Sequence, residues 1–233
     1  MTLAHPAIKT IADVMRSADP PRVVFCDWHG VLCRKPFWHS ITDDPDHSLY
    51  AVLNRELDRL FTTGNREGRE WMCGKRSSRD ILTNLAATHS GLDVDQLLTQ
   101  LAHDIAHMPV NQSLLRALRD ARYHSTVVLA TDNIDAFTST FHAVTSSHNE
   151  QPSGTETLKE AAAVFDDIIS SSDTGVLKSE DPEAFFGSWL TTAGLSFGEA
   201  LLIDDRADNC AAFERCGGAA IEWTRYRLEE LSA

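Results

Sequence analysis

The sequence predicts an α/β fold, a doubly wound parallel sheet (Rossmann-like) carrying a small helical lobe. Three observations predict it. Short apolar runs rich in Val and Ile recur at residues 23–26, 126–130, 164–170, 200–203 and 219–223, the pattern of parallel strands buried on both faces. Helical periodicity fills the later intervals, and strands alternating with helices build a doubly wound sheet. The first interval, 27–125, is far longer than one crossover requires and reads as mostly helical.

Taken in order, residues 8–15 have the spacing of a short amphipathic helix, ended by Pro20-Pro21. No long apolar run precedes the first strand, so neither a signal-peptide core nor a membrane span is expected. Within the long interval, 46–61, 78–89 and 94–107 repeat apolar residues every three or four positions, and Gly64, Gly68 and Gly74 punctuate them. The expected division is therefore a core of 1–38 and 109–233 and a helical cap of 39–108. A lobe beside a catalytic face usually acts as a lid. Residues 112–122 place Leu114, Leu115, Leu118 and Ala121 on one helical face. Asp181-Pro182-Glu183 reads as N-cap, N1 proline and acidic first turn, with Gly194 closing that helix. Asp208-Asn209 opens the last helix, Asp208 reading as its N-cap, and Gly217-Gly218 ends it.

The composition narrows the function. A chain of 233 residues without repeats suffices for one buried core and a modest second lobe. A formal charge of -13 argues against a nucleic-acid binder, which needs a surplus of Lys and Arg. A local basic pocket for a small anion remains compatible with it. The five cysteines are odd in number and show no CxxC spacing, so neither a disulfide framework nor a zinc site is expected. Cys26, inside the first run, reads as a buried thiol. These features fit a reducing cytoplasm.

Ligands of such sheets bind beyond the carboxyl ends of the strands, so the residues after each run carry the interest. Asp27 follows the first run and precedes His29-Gly30, where a carboxylate at a tight turn can act as a nucleophile toward phosphorus. Thr131-Asp132-Asn133 follows the second, and a hydroxyl with fresh backbone N–H groups can cradle phosphate or simply cap a helix. Lys178 can neutralise a transferring phosphoryl group. Asp204-Asp205 follows the fourth run; adjacent carboxylates repel unless a cation compensates, and Mg²⁺ is a suitable one.

In that order, Asp27 with Gly30-Val31-Leu32, then Thr131, then Lys178 before Asp181-Pro182-Glu183-Ala184-Phe185, then Ile203-Asp204-Asp205, the chain resembles the haloacid dehalogenase (HAD) superfamily. The resemblance runs from Val23 to about Trp223 and is strongest over 175–209, where it points to the phosphatase-like subfamily with a helical cap between the first and second motifs. It implies that Asp27 attacks phosphorus to form an aspartyl-phosphate, which water hydrolyses. It also implies Mg²⁺ held by Asp27, the His29 backbone carbonyl, Asp204 and Asp205, with Thr131 and Lys178 on the phosphoryl oxygens.

One position departs from the pattern. The family's phosphatases usually carry a second aspartate two residues after the nucleophile, and this chain has His29. Histidine suits acid–base work near neutral pH; the position also tracks reaction type in the family, and its loss would mark a protein that binds a phosphorylated ligand without turnover. A dehalogenase would leave Asp204-Asp205 poorly explained. A phosphonate-cleaving enzyme would use a cap lysine for an imine, and Lys75 is the one available. The expected function is a Mg²⁺-dependent phosphomonoesterase, with His29 in the acid–base place. Its partner would be a small phosphorylated metabolite, with neither nucleic acid nor membrane; the oligomeric state is unreadable. Substrate contacts are expected from Asn133 beside Thr131, and from Arg34, Lys35, His39 and Lys75 in the flap and cap. Trp38 and Trp71 read as core packing.

Overall fold

The computed structural model describes residues 6–146 and 157–223. All five apolar runs become strands, β1 Val23–Cys26, β2 Thr126–Thr131, β3 Asp167–Ser170, β4 Ala200–Asp204 and β5 Ala219–Glu222. The third run enters its strand late. Val164 and Phe165 are buried but hydrogen-bond back to Ala161 and Ala162, so they close the preceding helix before extended structure begins.

The sheet is wholly parallel in the order β3-β2-β1-β4-β5. β1 is central, and the chain leaves it toward both sides, which opens a ligand crevice at its carboxyl end. Register aligns Cys26 with Leu129 on β2 and Ile203 on β4, so Asp27 emerges level with the ends of both neighbours.

Helices cover both faces: α1 Pro6–Met15, α2 His39–Thr42, α3 Tyr50–Phe61, α4 Arg66–Met72, α5 Ser78–Thr88, α6 Val94–Ala106, α7 Gln112–Ala121, α8 Asp135–Ser146, α9 Leu158–Ala162, α10 Ser171–Thr174, α11 Pro182–Ala193 and α12 Ala207–Arg215. On one face Phe25, Phe186 and Phe213 pack with ring centroids 4.9 to 6.0 Å apart. On the other, Val24 and Cys26 join a larger apolar cluster. Alternate residues of one strand thus reach opposite layers. None of the helices among the described residues is long and apolar enough to cross a membrane.

The long interval holds α2 to α7 and no strand. The helix expected from residue 46 begins at Tyr50, because residues 43–49 are spent in turns. Neither α2 nor α4 was expected; both are shorter than the window in which periodicity becomes readable. Gly68 proves to be an interior residue of α4, where a Cβ would stand 1.8 Å from the Leu60 carbonyl oxygen. It permits close helix packing, whereas Gly64 and Gly74 do sit at positive φ in turns. The lobe and the sheet share one apolar cluster that includes Leu57, Trp71, Ile105, Trp28 and Phe137.

Two caps match expectation. Asp181 accepts from the Ala184 N–H, and Gly194 closes α11 at φ 68°. The cap of α12 does not: Arg206 holds the N-cap position, and the Asp208 carboxylate turns to the Arg206 guanidinium at 2.6 Å.

Candidate active site

The strand ends bring four polar side chains to one place. Lys178, on the loop between α10 and α11, is fully buried. Its ammonium donates to the Ala130 carbonyl at 3.1 Å and to Asp204 Oδ2 at 2.5 Å, and it stands 3.0 Å from Asp27 Oδ1. Asp132 fixes the loop by accepting the Lys178 backbone N–H at 3.0 Å. Asp204 is well supplied with donors. Its Oδ1 accepts from the Arg206 N–H at 2.9 Å and Asn209 Nδ2 at 3.0 Å, and Asn209 also reaches Oδ2 at 3.1 Å.

Asp27 is poorly supplied. The Lys178 ammonium stands 3.0 Å from its Oδ1 as an ion pair, and no other group among the described residues donates to this buried oxygen. Burial pushes the Asp27 carboxyl up to about 8; Lys178 opposes this, while Asp204 and Asp132 add to it. Burial alone would lower the Lys178 pKa, but Asp204 and Asp27 together hold it well above the usual value. One ammonium between two buried carboxylates leaves the site short of positive charge. Asp205 deepens the deficit, its own pKa raised by burial and by Asp204.

Carboxylate oxygens of Asp27, Asp204 and Asp205 lie within 4.8 Å of one another. Three hard oxygen donors, an orphaned buried oxygen and a charge deficit fit a Mg²⁺ ion. Gly30 keeps Asp205 in range: its φ is +83°, and a Cβ there would overlap Asp205 Oδ2 at 1.9 Å. No other residue type satisfies both conditions.

His29 is set by Asn133. Asn133 Oδ1 accepts from the Ile134 N–H at 3.0 Å, so its Nδ2 is the donor end, and it points to His29 Nδ1 at 3.3 Å and Thr131 Oγ1 at 3.4 Å. That arrangement makes Nδ1 the acceptor and assigns the ring proton to Nε2. Nε2 is itself buried, and the Lys35 backbone lies near enough to the ring to favour its protonated form against that burial. The ring meets Phe37 edge-on at 5.0 Å. Burial pushes its pKa down to about 4, so the imidazole is neutral at physiological pH. These groups open onto a cavity of about 720 Å³, lined on the sheet side by Asp27, His29, Asn133, Asp205 and Arg206.

Comparison with known proteins was uneven. No protein-family model matches the sequence, and no curated protein matches it. Solved structures do. A HAD family enzyme from Bacteroides thetaiotaomicron, in complex with magnesium and inorganic phosphate, superimposes with TM-score 0.62 at 15% identity, covering 86% of this chain and 93% of that one. A predicted HAD-like family hydrolase from Porphyromonas gingivalis gives TM-score 0.61 at 18% identity, over 91% and 98% of the two chains. The L-2-haloacid dehalogenase from Xanthobacter autotrophicus, with chloropropionic acid covalently bound, gives 0.57 at 12% identity, over 86% and 76%. The chain has the haloacid dehalogenase fold.

Within this HAD fold the expected residues separate into two groups. Asp27, His29, Asn133 and Asp205 line the cavity, with Thr131, Lys178 and Asp204 fully buried around it. Arg34, Lys35, His39 and Lys75 do not line it. Arg34 and Lys35 face a separate cleft beside Pro109 and Asn111, where Lys35 pairs with Asp43 at 2.5 Å. His39 Nε2 meets the Asp104 carbonyl oxygen at 3.1 Å, and Lys75 is exposed beyond the end of α4. Charge and proximity in sequence suggested all four, yet the flap before the lobe and the lobe itself present other residues to the cavity. Trp38 and Trp71 are buried, their indole N–H groups donating to the Leu97 carbonyl at 2.8 Å and Ser78 Oγ at 3.0 Å.

Sequence reasoning missed Asp132, Asn209 and Arg206. Asn209 lies five residues beyond Asp204, in the first turn of α12, which returns to the strand end; that spacing was the available signal. It also missed the apolar wall of the cavity, which Phe37, Leu57, Phe61, Met72 and Ile134 form.

Proposed function

We propose that the protein is a Mg²⁺-dependent hydrolase of small phosphomonoesters that works through an aspartyl-phosphate on Asp27. The observation that carries this reading is the meeting of the Asp27, Asp204 and Asp205 carboxylates beside the Lys178 ammonium. Mg²⁺ would be held by those carboxylates with the His29 backbone carbonyl, and would supply the positive charge that a carboxylate needs to approach a phosphate. Ionised Asp27 attacks phosphorus, while Lys178 holds it in line and offsets charge on the phosphoryl oxygens. Thr131 and Asn133 supply polar groups on the same side. For neutral His29 to accept a proton from the water that cleaves the intermediate, Nδ1 must exchange its Asn133 partner for that water, because Nε2 already carries the ring proton. A bound phosphate raises the histidine pKa and a magnesium ion lowers it; protonating the leaving oxygen first requires the phosphate to prevail.

The test is phosphate release from a panel of small esters with Mg²⁺ or with EDTA, and a chloropropionate arm read as chloride release. Asp27→Asn should lower Mg²⁺-dependent turnover by about 10³-fold or more, the scale for removing a nucleophile. Turnover that survives this substitution, or that EDTA leaves untouched, would sink the proposal.

A second reading, phosphate binding without turnover, draws on the His29 pKa of about 4, which leaves no acid ready at neutral pH. No turnover on any ester, with phosphate binding retained in Asp27→Asn, would favour it. The phosphonate reading finds no support: among the described residues lining the cavity there is no lysine to form an imine.

A further inference from the structure

The cavity has two chemically different sides. Its floor is the polar group at the strand ends. Much of its remaining lining is apolar, formed by Phe37, Leu57, Phe61 and Met72, with Ile134 beside the floor. The aromatic part of that wall is continuous. Phe61 stacks on Trp71 at 5.8 Å and 28°, and Phe37 stands 6.0 Å from both rings. Trp71 is fully buried and held by its bond to Ser78, which gives the wall a rigid backing. Phe61 is 42% exposed, one of two large hydrophobic side chains so exposed among the described residues, and it lines this cavity.

The charges point the same way. Arg206 is the one cation among the described residues lining the cavity. Its guanidinium is engaged by both Asp208 oxygens, at 3.0 and 2.6 Å. Asp58 stands on the lobe side and Asp132 on the sheet side. A second phosphate or a carboxylate on the leaving group would find no unengaged cation and would face Asp58. A polyhydroxylated group would lose water to carbon surface with few partners in return. At about 720 Å³ the cavity has the size of an organic-ligand site.

Resting on the phosphomonoester reading above, we infer that the substrate is the monophosphate of an apolar, aromatic-bearing alcohol with no second anionic group. The phosphate sits on the strand-end floor, and the ring lies against Phe61 and Phe37. Aromatic pairs of this kind add to simple burial.

Non-hydrolysable phosphonates test this in the wild-type protein with Mg²⁺, independently of turnover. By titration calorimetry, 2-phenylethylphosphonate should bind about tenfold or more tightly than 2-hydroxyethylphosphonate, as expected when a ring is buried. It should exceed 2-carboxyethylphosphonate by at least as much. In Phe61→Ala the first ratio should shrink to about twofold. Phe61 is partly exposed, so the variant should fold, and circular dichroism checks that it does. Equal or tighter binding of the hydroxyl or carboxyl compound overturns the inference. A ratio unmoved by Phe61→Ala, or no binding of any of the three, also overturns it. Tight phenylethyl binding without turnover of the corresponding phosphate ester leaves this inference standing and counts against the hydrolase reading alone.

Discussion

Asp27 and Asp204, one strand apart, are treated in opposite ways. Asp204 has directed donors on both oxygens, from Lys178, Asn209 and the Arg206 backbone. Asp27 has only the shared Lys178 ammonium beside it, at 3.0 Å, and, among the described residues, no further donor on the same oxygen. Fixed donors orient the Asp204 carboxylate within the cluster, whereas a carboxylate shorter of donors is the one available to an electrophile. His29 is the other decisive residue, since its ring is neutral and its proton is assigned to Nε2. If it performs acid–base work, His29→Ala should lower kcat by about 10²-fold or more, with KM moving much less, and His29→Asp should restore part of the loss. Rates followed from pH 5 to 9 check this. An alanine variant with the wild-type kcat throughout that range would remove His29 from the chemistry.

At the scale of elements, α6 carries a buried acid that holds the lobe together. Asp104 occupies the apolar stripe of α6 with Leu97, Leu101 and Ile105. It accepts from the Ser40 N–H at 3.0 Å, Ser40 Oγ at 2.7 Å and Gln100 Nε2 at 2.8 Å, which joins α2 to α6. Burial alone would raise its pKa, but the Ser40 and Gln100 hydrogen bonds, with His39 nearby, take it below the usual value. The sign follows. Above the unfolded carboxylate pKa of about 4 the contribution to stability is complete, and it is lost as pH falls through the lower folded value. Asp104→Ala should therefore destabilise the protein by about 2 kcal/mol near pH 7, the scale for orphaning buried donors. The difference from wild type should narrow toward pH 3. Urea denaturation at the two pH values measures both; a difference independent of pH would mean that the carboxylate charge is not the cause.

Across the whole molecule, the lobe is fastened to the sheet domain at several points. Arg69 on α4 grips Glu180, two residues past Lys178, through two hydrogen bonds of 2.6 and 2.5 Å. Ser78 at the start of α5 bonds Asp135 at the start of α8, and Ser171 donates to the Met72 carbonyl at 2.7 Å. Gly74 passes so close to Ser172 that a Cβ would lie 2.1 Å from its carbonyl oxygen. With a shared apolar cluster beneath these contacts, charge strain at the strand ends is felt by the whole fold. Mg²⁺ at about a hundred times its Kd should add about 2.7 kcal/mol to stability, a rise in Tm of roughly 5–10 °C for a chain of this size. EDTA should reverse the rise and Asp205→Asn should abolish most of it, as read by scanning fluorimetry. A full shift in Asp205→Asn would take Asp205 out of the ligand set.

The sequence by itself determined the strands, their parallel sense and the residues at their carboxyl ends. Each of these is local: a run buried on both faces must be apolar throughout, and the next residue in the chain must emerge at the sheet's edge. Asp27, Thr131, Asp204 and Asp205 were legible for that reason. Helix starts were legible where a cap and a proline coincide, as at Asp181, and not where the backbone alone decides, as at Arg206. Only the tertiary structure decided which face of the lobe meets the site. A helix has residues on every side, and nothing local distinguishes Phe61, which lines the cavity, from Lys75, which does not. It also decided the unequal treatment of Asp27 and Asp204, because their donors come from segments distant in the chain and converge only once the strands have paired.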